Sequence, residues 1–553
     1  MQQGDIALQK SRSALACPGH ACFWPKSSAG TVKVPYTISS VYNATDKTLI
    51  AAAMQEFTTL TCIRFVARTT ESDYVQIKSV DGCWSYLGRI GGPQDLSLLR
   101  SGCMSKGIIQ HELNHVLGFV HEQTRSDRDQ YVQIMWQYIP QAVVSNFMKA
   151  EPETNNLGLD YDYTSVMHYG RFAFTNTSGE ATIVPKPDSS VEIGQRYGLS
   201  NLDISKINKL YQCGTCSSLL SDWTGFLTSA NYSSHYSDNS DCVWLIRLPA
   251  DKVLLQFDAF DVQSTPGCVS DYLRVYDGDS QSSPVLLDRA CGSGEIPSLI
   301  ASSNLLLVQF VSDGTIAGNG FKASYSSVKC GTVLTKNTGT LASPGSPNNY
   351  PPNTDCTWVI AAPQGNKVSL TVIFFLLEMS RNCKYDYLVI LDGSKLSSPS
   401  RGKYCGNQIV PNMVSTGSSL LFQFHSDKSV QYAGFQVKYS FGQKLRDGSS
   451  LRNHWEPYPA GSLNEERSPE PLAEVETPGL LVNLILSGTK VKRPQGHRQP
   501  VKWIIWPLVN PNPPRALWGR SVLNYPSEIW SPFSNLTAPV NDVQTQKFTL
   551  GKK

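Results

Sequence analysis

The stretch His111-Glu112-Leu113-Asn114-His115-Val116-Leu117-Gly118-Phe119-Val120-His121 places three histidines and a glutamate at fixed intervals. His111 and His115 are four residues apart, so on a helix both imidazoles face one side and can share one metal ion. Ile108, Ile109, Leu113, Val116 and Leu117 predict a buried amphipathic helix over 107–117. Glu112, beside the first histidine, can reach a metal-bound water as general base. A continued helix would carry His121 away from the metal. Gly118 offers the positive φ that ends a helix and turns the chain back, so His121 returns as the third ligand. Three histidines with an open fourth position is a catalytic zinc arrangement, because structural sites are closed.

Around this stretch lie 553 residues, room for three or four domains. With 41% hydrophobic and 17% charged residues the chain suits packed globular domains and not a mainly disordered polyelectrolyte. Forty-eight Lys and Arg against 45 Asp and Glu leave +3, so charge gives no case for nucleic acid as partner. The 14 cysteines are widely spaced and stop at Cys405, a pattern of disulfides and an oxidising compartment. No apolar stretch approaches the roughly 18 residues a membrane span needs. Met1-Gln-Gln-Gly-Asp-Ile6 has no apolar signal core. The expectation is a secreted, extracellular protein whose chain is N-terminally incomplete.

The middle of the chain repeats. Cys216, Cys242, Cys268 and Cys291 recur as Cys330, Cys356, Cys383 and Cys405, shifted by 114, 114, 115 and 114 residues. Asp241-Cys-Val-Trp244 matches Asp355-Cys-Thr-Trp358, and Asp271-Tyr-Leu-Arg-Val-Tyr-Asp-Gly278 matches Asp386-Tyr-Leu-Val-Ile-Leu-Asp-Gly393. A duplication accounts for this. Each copy is a series of short apolar or alternating runs broken by Gly, Asp and Ser, which predicts an all-β sandwich.

These words resemble CUB domains over 216–327 and 330–441. The resemblance implies the pairs Cys216–Cys242, Cys268–Cys291, Cys330–Cys356 and Cys383–Cys405. It also implies a calcium site in the second copy, made by Glu378, Asp386 and Asp427 with Tyr350 beside them; such oxygen donors suit Ca²⁺. The first copy keeps Asp271 and Asp313 but has Gln263 in place of the glutamate, which weakens its charge.

Downstream of the histidines, Ser165-Val-Met167-His-Tyr169 looks like the Met-turn of metzincins. Together with Glu122-Gln-Thr-Arg-Ser-Asp-Arg-Asp129 and Ile193-Gly-Gln-Arg-Tyr-Gly-Leu-Ser200, it makes residues 13–214 resemble the astacin family of zinc endopeptidases. The resemblance implies disulfides Cys62–Cys213 and Cys83–Cys103, and Cys17–Cys22 as in the hatching-enzyme branch. It implies Tyr169 as a further zinc ligand that swings away to stabilise the oxyanion, and Met167 as a hydrophobic floor. Glu122 would be bound by the mature amino terminus, released by cleavage after Arg12. Gly4-Asp5 resembles the end of the family's prosegment, with residues 1–12 its remnant and Asp5 a prosegment zinc ligand. Arg196 is a candidate for meeting an acidic residue after the scissile bond. Arg125, Asp127, Arg128 and Asp129 read as salt-bridged support of the site.

The fold class expected is therefore multidomain: an α+β metzincin protease domain, two all-β CUB sandwiches, and a disordered tail over 442–553. That tail holds 14 of the 33 prolines, too many for regular elements. Four glycosylation sequons, at Asn43, Asn176, Asn231 and Asn535, fit a secreted glycoprotein. The expected function is a secreted zinc metalloendopeptidase acting on extracellular proteins, with egg-envelope glycoproteins as substrate and the CUB domains making protein contacts. Two alternatives stand beside it: a matrix-remodelling or precursor-processing protease of the same family, and a CUB adhesion protein with an inactive protease domain.

Overall fold

The computed structural model describes residues 3–7, 22–150, 156–315 and 318–442. Cys17, the Arg12 cleavage site and the proline-rich end after 442 lie outside the described residues.

The first part is a twisted sheet with helices against it. Its strands are β1 (Ile6–Ala7), β2 (Val32–Ile38), β3 (Ile63–Ala67), β4 (Tyr74–Lys78), β5 (Cys83–Tyr86) and β6 (Pro93–Leu98), in the order β1-β5-β6-β4-β2-β3. Strands β3, β2, β4 and β6 are parallel, and β5 runs antiparallel to β6. Ile6 and Ala7 add a parallel strand to the outer edge of β5. Helix α1 (Ala44–Leu60) starts at a capping box formed by Asn43 and Asp46 and buries Ile50, Ala53, Met54, Phe57 and Leu60. Helix α2 (Lys106–Val116) is capped by Ser105, whose side chain accepts from the Ile108 N–H. It ends at Gly118, which has φ +97°. Helix α3 (Asn201–Leu210) repeats the capping box with Ser200 and Asp203.

The two duplicated units are sandwiches of antiparallel-rich sheets. Ahead of these units in the chain, β7 (Val132–Ile134) pairs with β8 (Ile183–Pro185). In the first unit, β9 (Cys216–Leu220), β11 (Asp241–Arg247), β17 (Leu305–Val311), β13 (Tyr272–Tyr276) and β14 (Val285–Ala290) form one sheet; β10 (Thr224–Thr228), β18 (Gly320–Val328), β12 (Lys252–Val262), β15 (Gly292–Ser293) and β16 (Leu299–Ile300) form the other. The second unit repeats this plan with Thr354–Ala361, Ser419–Ser426 and Tyr387–Leu391 facing Thr338–Ala342, Gly434–Gly442 and Lys367–Leu376. Disulfides join Cys62–Cys213, Cys83–Cys103, Cys216–Cys242, Cys268–Cys291, Cys330–Cys356 and Cys383–Cys405.

Alternation predicts one buried face per strand, yet Cys242 to Ile246 in β11 are all buried. The physical reason is a second contact. Trp244 and Ile246 fill the core of their own sandwich, while Val243 and Leu245 join the core of the protease domain with Leu219, Tyr276 and Leu307. The two sandwiches also share a cluster, in which Leu254, Ile300 and Val328 meet Val359, Ala361, Leu391 and Leu421.

A buried charge cluster lies at the first of these junctions. Glu56 on α1 is fully buried and bonds Arg247 from β11 and, at 2.6 Å, Lys106 from α2. Burial alone would raise its pKa, but Arg247 and Lys106 outweigh it and hold the carboxyl below its usual range. A depressed folded pKa contributes stability above the unfolded value of about 4.3 and loses it as pH falls through the folded value. The melting-temperature gap between wild type and Glu56→Gln should therefore be widest above about pH 5 and close under acid. A gap that stays constant on acidification would show that Glu56 is not held as an anion.

Candidate active site

Helix α2 presents His111 and His115 on one face, and the reversal at Gly118 returns His121 to them. The turn is tied by Gly118 N–H to His115 C=O at 2.9 Å and by Phe119 N–H to Asn114 C=O at 3.0 Å. All three rings are buried. His111 Nε2 and His121 Nε2 lie 3.2 Å apart. Asp5 Oδ2 is 3.1 Å from each, and Asp5 Oδ1 is 3.5 Å from His115 Nε2.

Each Nδ1 faces an oxygen that can only accept: the carbonyls of Val166 at 2.8 Å and Phe119 at 2.7 Å, and the side-chain amide oxygen of Gln3 at 3.0 Å. Each Nδ1 therefore carries the proton, and each Nε2 lone pair points inward. Burial pushes the His111 pKa down to about 3 and lowers that of His121, so both rings stay neutral. Among the described residues, Asp5 Oδ1 and His115 Nε2 are buried without a hydrogen-bond partner. Converging lone pairs with orphaned donor atoms are what a bound cation would satisfy, and three imidazoles suit zinc.

Glu112 is fully buried, and neither carboxylate oxygen has a hydrogen-bond partner among the described residues. Burial first, then the charge of Asp5, pushes its pKa well up. An acid-base group poised in this way suits proton transfer.

The turn carrying Met167 is stitched to the site from both sides. Its Val166 carbonyl orients His111, and its Met167 carbonyl accepts the Glu122 N–H at 3.1 Å. Asp203 at the start of α3 holds the turn through Ser165 Oγ at 2.6 Å and the Val166 N–H at 2.9 Å. Tyr169 packs beside His121, with ring centroids 4.5 Å apart, and against Phe147 and Phe174. Its hydroxyl donates to the Gln3 carbonyl. Arg196 donates to the His168 carbonyl at 3.0 Å, directly before Tyr169.

The residues expected to support the site form ion pairs. Arg125 reaches Asp127 at 2.7 Å and Glu122 at 3.1 Å, and Arg128 reaches Asp129 at 2.7 Å. The resemblance gives Glu122 to the mature amino terminus, which lies outside the described residues; among the described residues its partners are Lys206 Nζ at 2.6 Å, Arg125 and the Asp162 N–H at 2.9 Å. Sequence reasoning missed Lys206, Gln3 and Asp203. No motif marks Lys206 or Gln3, and the one available signal for Asp203 was its capping-box spacing from Ser200.

In the second sandwich, oxygens of Glu378, Asp386 and Asp427 lie within 4.8 Å of one another. Tyr350 donates to Asp386 at 2.5 Å, and the Asp427 N–H to its other oxygen at 2.8 Å. Glu378 Oε2 is buried without a partner among the described residues. The first sandwich has the same frame: Tyr236 donates to Asp271, and the Asp313 N–H to Asp271 at 2.8 Å, with Gln263 in place of Glu378.

Residues 22–212 match the model of the astacin peptidase family, and residues 213–325 and 330–439 match the CUB domain. The chain is 51% identical to Embryonic protein UVS.2 of Xenopus laevis over 442 residues, covering 80% of this chain and 84% of that protein. The chain belongs to the astacin family. It is 54% identical to an astacin-like metalloendopeptidase of Gallus gallus over 329 residues, covering 60% of this chain and 80% of that one. A solved hatching enzyme zinc-protease of Oryzias latipes, High choriolytic enzyme 1, is 54% identical; it covers 36% of this chain and 99% of that one, with a TM-score of 0.35. This astacin-family chain is thus a metalloendopeptidase carrying CUB domains. No helix among its described residues is long and apolar enough to cross a membrane.

Removing Lys206 leaves the buried Glu122 with Arg125 as its one cationic partner among the described residues. Lys206→Met should cost about 3 kcal/mol in urea unfolding, at the low end for breaking one half of a buried pair because Arg125 remains. Unchanged stability would show that Arg125 alone neutralises Glu122.

Proposed function

We propose that the chain is a secreted zinc endopeptidase of the hatching-enzyme kind, with egg-envelope glycoproteins as its substrate. The single observation that carries the catalytic reading is the set of three inward-facing Nε2 lone pairs beside the unpartnered carboxylate of Glu112. In this reading His111, His115 and His121 hold the zinc ion. When bound, zinc lowers the pKa of a water and polarises the scissile carbonyl. Glu112 takes the proton of the attacking water and passes it to the leaving amine. Tyr169 donates its O–H to the oxyanion once the Gln3 carbonyl no longer occupies it.

Residues 3–7 close the cleft in this arrangement. Asp5 caps the histidines, Gln3 engages His121 and Tyr169, and Ile6–Ala7 cover the edge of β5. Their removal frees β5 to take a substrate segment as an added strand. Arg196 stands on this cleft as the candidate for an acidic side chain after the scissile bond. An inactive CUB adhesion protein is disfavoured, because His111, Glu112, His115, His121 and Tyr169 are all in place. Six disulfides among the described residues support an oxidising, extracellular setting. The envelope substrate is supported by the extensive similarity to a protein named as embryonic.

The activated chain should carry one zinc per molecule by elemental analysis and release new N-termini from purified egg envelope. A chelator should abolish this, and Glu112→Ala should lower the rate by about 10²–10⁴-fold. Envelope cleavage that survives Glu112→Ala would sink the catalytic reading; peptide cleavage without envelope cleavage would point to a matrix or precursor substrate.

Glu378, Asp386 and Asp427 are proposed to bind calcium, their oxygens set by Tyr350. Calorimetric titration of the full chain with Ca²⁺ should show one binding event that Glu378→Ala removes. Identical heats from wild type and variant would refute the site.

A further inference from the structure

Arg247 ends β11 in the first CUB domain, yet its guanidinium contacts the protease domain. It bonds the buried Glu56 and donates through Nη2 to the Leu199 carbonyl at 2.6 Å. The other oxygen of Glu56 takes Lys106 at 2.6 Å and Gln110 Nε2 at 3.3 Å. Gln110 directly precedes His111 on α2, and its Oε1 accepts the Leu199 N–H at 3.0 Å. The fully buried Leu199 is thus gripped at both backbone polar atoms, one from the helix that carries His111 and one from the CUB domain. Gly198 allows this close approach: a Cβ there would lie 2.6 Å from Arg247 Nη1 and 2.9 Å from Gln110 Oε1. The same segment begins at Arg196, which holds the carbonyl before Tyr169.

The duplication supplies a control. The position of Arg247 in the second copy, 114 residues on, is Ala361, which lies in the cluster shared by the two sandwiches. Likewise Val243 corresponds to Thr357. The arginine is present in the copy that faces the protease domain and absent from the copy that does not.

We propose that Arg247 is a positioning residue for the cleft. It fixes the 196–199 segment against α2, so that the cleft wall reaches its working geometry with the first CUB domain docked. The proposal rests on the endopeptidase reading. Its physical basis is a buried, charge-assisted contact at Glu56 together with a buried carbonyl that would otherwise lose its donor. Small displacements of a cleft wall carry large rate penalties.

The test uses the activated full chain and a peptide too short to span from the cleft to a CUB domain. Arg247→Met should lower kcat/KM about 10-fold with one zinc retained. The double variant Glu56→Gln, Arg247→Met removes the Arg247–Glu56 pair but leaves Lys106 and the Leu199 carbonyl without those partners, so it should regain part of the melting temperature lost in Arg247→Met while keeping the lowered kcat/KM. Wild-type kcat and KM in Arg247→Met would overturn the proposal. So would a double variant that recovers rate along with stability, since Arg247 would then serve only as the ion partner of Glu56. If Arg247→Met does not fold, the double variant still decides. Failure of wild type to cleave any peptide would instead reject the endopeptidase reading.

Discussion

Three imidazole lone pairs directed at one point constrain the rest of the protease domain. Two follow from helical spacing, and the third requires the reversal at Gly118. Their direction depends on what faces the other ring nitrogen. The carbonyls of Val166 and Phe119 hold two tautomers, and the first of these ties the Met167 turn to α2. Asp203 holds that turn in place, and the capping box of α3 holds Asp203. A displacement at α3 would therefore be felt at His111 through two hydrogen-bonded links.

Buried charge around the site follows two regimes. Glu56 and Glu122 are each neutralised by cations from separate elements, Arg247 with Lys106 and Lys206 with Arg125. Those pairs cross-link α1 to α2 and β11, and α3 to the segment after His121. Glu112 has no bonded partner among the described residues, and burial followed by the charge of Asp5 pushes its pKa up. Support and chemistry thus use the same residue type, separated by direct contact: burial raises the pKa of Glu122 too, but Lys206 and Arg125 bond its carboxylate, whereas Arg196 acts on Glu112 only at a distance.

The duplicated sandwiches show one local frame put to different outward uses. The Tyr–Asp–Asp arrangement recurs in both, as Tyr236, Asp271 and Asp313 and as Tyr350, Asp386 and Asp427. What differs is the third donor, Gln263 against Glu378, and the outer face of the central strand. Val243, Leu245 and Arg247 bring the first copy onto the protease core, while Val359 and Ala361 bring the second onto the first.

The sequence by itself determined the helix with its two histidines, the return of His121, the role open to Glu112, the duplication and its β character. These rest on local spacing, on the freedom of one glycine and on repeated words, all of which act over a few residues. Only the tertiary structure decided the pairing of Glu122 with Lys206, the engagement of Gln3 with His121 and Tyr169, and the reach of Arg247 into the protease domain. Those contacts join residues from 84 to 191 positions apart. Their existence depends on which surfaces meet after the elements pack, and a buried Lys206 or Arg247 looks in sequence like any solvent-facing cation.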